Sequence, residues 1–184
     1  MPIARSWVEE FVAQYLTLRG YMVKTDVGIG PGIHGGRKDI DVIAVDMPSK
    51  EVLLIDVRIA WRESAEKIAQ GAKETLEKAE EAMKKLVGEG YRYKKMLVVV
   101  IDRPSEDKVK EIERALTMRG ADVKVVSIAS LLREAIRYVD EWRQEQVRRG
   151  FVKSGTKAAL PENLYMMKLL EFLKDLRLAH LDAT

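Results

Sequence analysis

Apolar residues recur along this chain with two periods, and the switches between them outline the elements. Over 3–18, Trp7, Phe11, Tyr15 and Leu18 fall at helical spacing with Val8, Val12 and Leu16 beside them, so an amphipathic helix is expected, closed by Gly20. A short strand over 21–27 and a glycine-rich loop over 28–36 follow. Two Val- and Ile-rich runs, 39–46 and 52–61, read as a β-hairpin around Met47-Pro48-Ser49-Lys50-Glu51. A long helix over 64–87 carries Ala65, Ile68, Ala72, Leu76, Ala79, Met83 and Leu86 on one stripe and stops at Gly88 and Gly90.

Residues 96–101 are apolar without a break, as in a strand buried on both faces. Ser105 is placed to cap a helix running to Arg119, with Glu106 and Asp107 in the first turn, where the helix dipole favours anions. A short strand over 123–127, a helix over 130–149 and a last helix from Pro161 to about residue 179 complete the chain. The order is α-β-β-β-α-β-α-β-α-α. The early hairpin must be antiparallel, and the later β-α-β crossovers imply parallel pairing. The expected fold is α/β: a mixed sheet with helices on both faces, comprising an α/β core over 1–127 and C-terminal helices over 128–184 in the same domain.

Composition narrows the chemistry. The 184 residues are 47% hydrophobic and 33% charged, which excludes a disordered chain and suits one domain. No apolar run is long enough to span a bilayer and the N-terminus lacks a signal-peptide layout, so no membrane association and a cytoplasmic location are expected. Without cysteine there is no disulfide, thiolate metal site or cysteine nucleophile. With only His34 and His180 as imidazoles, any metal must be held by carboxylates, which favours Mg²⁺ or Mn²⁺. One asparagine and four glutamines beside abundant Lys, Arg and Glu is a bias found in thermophile proteins.

The chemistry gathers in the hairpin. Asp56 and Arg58 share a strand face with Leu54 and Ala60, while Leu53, Ile55, Val57, Ile59 and Trp61 make the other face wholly apolar. A turn centred on Ser49-Lys50 sets Asp41 opposite Arg58 and Ile43 opposite Asp56, so Asp41, Asp56 and Arg58 converge on one side. On the first helix Glu9 lies at the margin of the apolar stripe and Glu10 on its solvent side. Two carboxylates on one strand face can hold Mg²⁺ with water positions left open, and Arg58 can bind a phosphate oxygen.

Glu9 on a helix before Gly20-Tyr21, Asp41 within Arg37-Lys38-Asp39-Ile40-Asp41-Val42-Ile43-Ala44, and Leu54-Ile55-Asp56-Val57-Arg58 after a hairpin together resemble the PD-(D/E)xK, or restriction-endonuclease-like, nuclease superfamily. The spacing is most similar to archaeal Holliday junction resolvases and Mrr-type endonucleases, over roughly residues 3–101. The resemblance implies an α-β-β-β-α-β nuclease core that hydrolyses DNA phosphodiesters, with branched DNA as a candidate substrate. Asp41 and Asp56 would be metal ligands, Glu9 an accessory acid and Gln70 the glutamine that some members carry on the helix after the third strand. Arg58 stands where the family has lysine. Arginine supplies a fixed positive charge but stays protonated and cannot act as a base, so Lys38 or Lys67 would have to take over any such role.

Three readings stay open: an active endonuclease, a catalytically silent module that binds nucleic acid or a protein, and an α/β domain whose hairpin acids make only a structural ion pair. Other features add partners. Gly30-Pro31-Gly32-Ile33-His34-Gly35 has the form GxGxxG but opens onto a strand rather than a helix, so no nucleotide cofactor is expected, and His34 reads as a solvated loop residue. Arg143, Arg148, Arg149, Lys153 and Lys157 against Glu145 alone give a local +4, enough to lie along DNA phosphates or to complement a helix end. The last helix, with Tyr165, Leu169 and Phe172 beside Met167, Leu170 and Leu173, carries an apolar arc too wide for one surface, which points to a homodimer.

Overall fold

The computed structural model describes residues 6–31, 37–60, 63–101, 106–153 and 155–175. The elements run α1 (Trp7–Leu18), β1 (Met22–Pro31), β2 (Arg37–Asp46), β3 (Glu51–Ile59), α2 (Ala65–Val87), β4 (Arg92–Val100), α3 (Glu106–Met118), β5 (Lys124–Ser127), α4 (Ile128–Arg148) and α5 (Tyr165–Asp175), in the order the hydrophobic pattern predicts. The chain forms two compact units, 1–128 and 129–184. His34 and the glycines around it, Trp61, Ser105 and the expected end of the last helix lie outside the described residues.

The first unit is a five-stranded mixed sheet ordered β1-β2-β3-β4-β5. β1, β2 and β3 are antiparallel neighbours, and β3, β4 and β5 are parallel, as β-α-β crossovers through α2 and α3 require. Val52 and Leu54 of β3, Leu97 and Val99 of β4 and Val125 of β5 meet Ile68, Ala72, Leu76 and Ala79 of α2 and Ile112 and Leu116 of α3 in one buried cluster. The small residues along α2 let that helix lie close to the sheet. α1 packs on β1 and β2, burying Val8, Phe11, Val12, Tyr15 and Leu16.

Several boundaries differ from the sequence reading, each for a local reason. β1 continues through Gly28 to Pro31 because those residues pair with Arg37, Lys38 and Asp39 of β2. The register shifts between Gly28 and Gly30, where Gly30 takes a φ of 123° that a side chain would resist. β4 starts four residues early, since Arg92 to Lys95 pair with Glu51 to Leu54 of β3. Ile59 is 55% exposed, so the apolar face of β3 is not buried to its end. Pro161 precedes α5 in a turn, where its carbonyl accepts from the Leu164 N–H. No helix among the described residues is long and apolar enough to cross a membrane.

In the second unit α4 and α5 are tied by ion pairs. Arg143 forks onto both carboxylate oxygens of Glu171 and donates to the Ala158 carbonyl at 3.0 Å. Lys157 bridges Glu171 at 2.7 Å and Asp175 at 3.2 Å, and Lys174 meets Asp140. These pairs rim a cavity of about 250 Å³ floored by Ile136, Val139 and Leu170. Every charged side chain on its wall is already paired, so it offers a ligand no unmatched charge.

Candidate active site

The β2–β3 hairpin closes with a four-residue turn, Met47–Lys50, in which Lys50 adopts φ 51° and donates its N–H to the Met47 carbonyl at 3.3 Å. Asp46 therefore pairs with Glu51, and the ladder runs through Val45–Val52, Ala44–Leu53 and Ile43–Leu54 to Val42–Ile55. The next pair in this register is Asp41 with Asp56, not Asp41 with Arg58, and Ile43 opposes Leu54, not Asp56. The turn is centred one residue earlier than expected, which moves every partner by two. A two-residue shift preserves side-chain parity, so Asp41 still meets the Asp56 side of the hairpin.

The β2–β3 ladder stops at Val42–Ile55 although β2 runs back to Arg37 and β3 on to Ile59. Asp41 sits at that parting. Its Oδ2 accepts the Val57 N–H at 2.6 Å, replacing the backbone carbonyl that a continued ladder would have provided. No donor among the described residues reaches Oδ1. Burial, the facing Asp56 carboxylate and, more weakly, Glu9 push the Asp41 carboxyl up to about 7, against the Val57 hydrogen bond and Arg58, which favour the ionised form.

Asp56 is 4% exposed. Burial pushes its carboxyl above the usual value, and Arg58 opposes that rise with Nε 2.6 Å from Oδ2 and Nη2 3.5 Å from Oδ1. On the arginine burial works against the charge, yet Asp56 outweighs it and holds the guanidinium protonated more firmly than usual. Both values move up, which disfavours the charge on Asp56 and favours it on Arg58, because Arg58 keeps 31% of its side chain at the surface while Asp56 keeps 5%. The guanidinium also donates from Nη2 to Thr75 Oγ1 at 3.1 Å and lies against Gly71 of α2. Arg58 is thus committed to Asp56 and α2.

The other expected residues divide. Glu9 is tied to the N-cap of α1: its N–H donates to Ser6 Oγ at 3.2 Å, and its Oε1 accepts from the Ser6 hydroxyl at 2.6 Å. Ser6-Trp7-Val8-Glu9 has the S-x-x-E spacing of a helix start, with the Glu9 side chain turned back onto the Ser6 hydroxyl. Glu9 reaches Asp41 through its field alone, and no three His, Asp or Glu side chains among the described residues gather at metal-binding distances. Lys38 comes close. Burial, then Lys78, push its ammonium below the usual lysine value, with Glu74, Arg58 and Asp56 also within electrostatic reach. Lys67 instead pairs with Glu63 at 2.8 Å, and Gln70 donates to Glu74 and accepts from Arg119, so neither joins the acids.

Of the basic stretch in the second unit, Arg143 is spent on Glu171 and Lys157 on Glu171 and Asp175, while Arg148 and Arg149 share Glu145. Counting those two α5 acids turns five positives and one negative into a local +2, half of what the linear sequence suggests. Only Lys153 has no ion pair among the described residues. Gly71 and Thr75 went unnoticed in the sequence: nothing in their own neighbourhood there distinguishes them from ordinary positions on α2. No protein-family model matches the chain, and no curated protein matches it in sequence.

Proposed function

We propose that this chain is a metal-dependent DNA endonuclease domain of restriction-endonuclease-like type, with Asp41 and Asp56 as its metal-binding acids. One observation carries the reading: a half-buried carboxyl, pushed up to about 7, faces a fully buried one where two strands part. A closed structural ion pair needs no such surplus acid. Mg²⁺ or Mn²⁺ fits this donor set, because such ions take one or two protein carboxylates and fill the rest of the shell with water and phosphate oxygens. When bound, the ion would neutralise charge on a scissile phosphate and acidify a water.

The chain's own groups have distinct tasks. Asp41 presents Oδ1 while Val57 anchors Oδ2. Asp56 is oriented by Arg58. Lys38 is the cation left to meet a phosphate oxygen, since Arg58 is engaged and Lys67 points elsewhere. Glu9 tunes Asp41 from a distance. A second reading, a silent module that binds nucleic acid, draws on the same Arg58–Asp56 pair, because that pair balances Asp56 without any ion.

The test uses supercoiled, linear and branched DNA with Mg²⁺ or Mn²⁺ beside an Asp41→Asn control, whose amide oxygen can keep the Val57 hydrogen bond. Cleavage that the control loses supports the endonuclease. Equal cleavage by both proteins refutes the assignment of Asp41, and binding without cleavage by either favours the silent module.

A further inference from the structure

Arg58 is fixed from two directions, and the second comes from α2. Thr75 is 2% exposed, and its hydroxyl proton goes to the Gly71 carbonyl one turn back, at 2.9 Å. That orientation turns the oxygen lone pairs toward Arg58 Nη2, which donates to them at 3.1 Å. Gly71 completes the arrangement. A Cβ there would stand 3.2 Å from Arg58 Nη1 and 3.5 Å from Cζ, so only a glycine leaves full room for the guanidinium plane. A glycine seven residues into a helix of 23 weakens that helix, and the space it opens is filled by Arg58.

We propose that Gly71 and Thr75 form a seat on α2 for Arg58, which makes Arg58 a positioning residue that fixes the Asp56 carboxylate instead of a phosphate-binding group. A lysine at 58 could not use the seat in this way: a single ammonium lacks the planar fork that reaches Asp56 through Nε and Thr75 through Nη2 together. The inference rests on the reading of Asp41 and Asp56 as a metal site and adds the groups that hold one of its ligands in place. Outer contacts of this kind orient a ligand, and their loss weakens metal binding even though none of them touches the ion.

The experiment compares the full chain with Thr75→Val, which keeps the buried shape but not the hydroxyl, with Thr75→Ser, which keeps the hydroxyl, and with Gly71→Ala. Mn²⁺ affinity is measured by calorimetry without DNA, DNA affinity by anisotropy without metal, and the Arg58 Nε–Hε group by its ¹⁵N–¹H resonance and its exchange with solvent. Thr75→Val and Gly71→Ala are expected to weaken Mn²⁺ binding about 10- to 100-fold and to release the Arg58 resonance to fast exchange, while metal-free DNA affinity stays within about twofold. Thr75→Ser is expected to match the parent chain. Unchanged Mn²⁺ affinity in Thr75→Val, or a loss confined to DNA affinity, overturns the proposal. Should the parent chain bind no Mn²⁺, the metal-site reading fails by itself. The Arg58 resonance then decides the seat: protection in the parent and Thr75→Ser but not in Thr75→Val keeps it, and equal exchange in all of them removes it.

Discussion

Replacing Asp41 by asparagine is expected to make the protein more stable, and increasingly so as the pH rises. The Asp41 carboxyl moves from 3.8 in the unfolded chain to about 7 in the fold, pushed first by burial, then by Asp56 and, less, by Glu9. Below about pH 4 the group is protonated in both states and contributes nothing. Between about 4 and 7 the unfolded chain releases its proton first, so stability falls as pH rises, and above about 7 the full difference applies. At 1.36 kcal/mol per pH unit the rise of the Asp41 carboxyl amounts to about 4 kcal/mol at pH 8, against just under about 2 kcal/mol at pH 5. Asparagine carries no charge to desolvate, and its Oδ1 can accept the Val57 N–H that Asp41 Oδ2 now accepts at 2.6 Å. Urea unfolding in chelator should show a gain near 2 kcal/mol at pH 5 that grows to about 4 kcal/mol at pH 8, and thermal melts a rise of about 10 °C at pH 8. A gain that does not depend on pH, or no gain, would refute the account of Asp41 as a strained acid. Adding Mn²⁺ should narrow the difference by stabilising the parent chain alone.

Two further outcomes test the second unit. Arg143→Gln breaks the fork to Glu171, whose side chain is only 16% exposed, and should lower the unfolding free energy by about 2 kcal/mol while leaving the salt dependence of DNA binding unchanged. A drop of about one in that salt slope would return Arg143 to the DNA contacts. Tyr165, Leu169 and Phe172 lie one helical turn apart on α5 and are 55%, 47% and 58% exposed, so a double Leu169→Glu, Phe172→Glu variant should sediment as a monomer if that stripe joins two copies. Unchanged sedimentation of a parent dimer would place its interface elsewhere.

The sequence carried the element order because each element is punctuated locally. α2 begins after Ser64, whose side chain accepts the Lys67 N–H, and ends at Gly88 with φ 102°, the two boundaries its stripe predicts. What escaped depends on partners far along the chain. Gly28 to Pro31 look like a loop until β2 lies beside them, and a Cβ at Gly28 would stand 2.8 Å from the Arg37 side chain and have to push it aside. The basic run at 143–157 looks unpaired until Glu171 and Asp175 arrive from α5. Arg58 looks free to bind a phosphate until Thr75, seventeen residues on, takes its second donor.

Asp41 and Asp56 share a side of the hairpin even though the register differs by two from the expected one. Alternation fixes which face a residue joins, and an error of two positions in the turn leaves that face unchanged. Register alone does not place Asp41, however. A carboxylate inside a continuous ladder would be stacked against packed neighbours on one face of the sheet. Asp41 instead sits where the β2–β3 ladder has ended, so one oxygen can take the next strand's N–H and the other has no donor among the described residues. The parting of the strands turns two ordinary strand residues into a possible ligand pair. Arg58 limits the charge of that pair: its permanent positive charge offsets one carboxylate, and burial pushes both carboxyls up, so the two acids compete for one proton. With that proton in place the three groups sum to zero, and without it they carry one negative charge. A cation entering the site therefore competes with that shared proton more than with Arg58, and Asp41, which weakens the fold as the pH rises from about 4 to about 7, would gain from the ion.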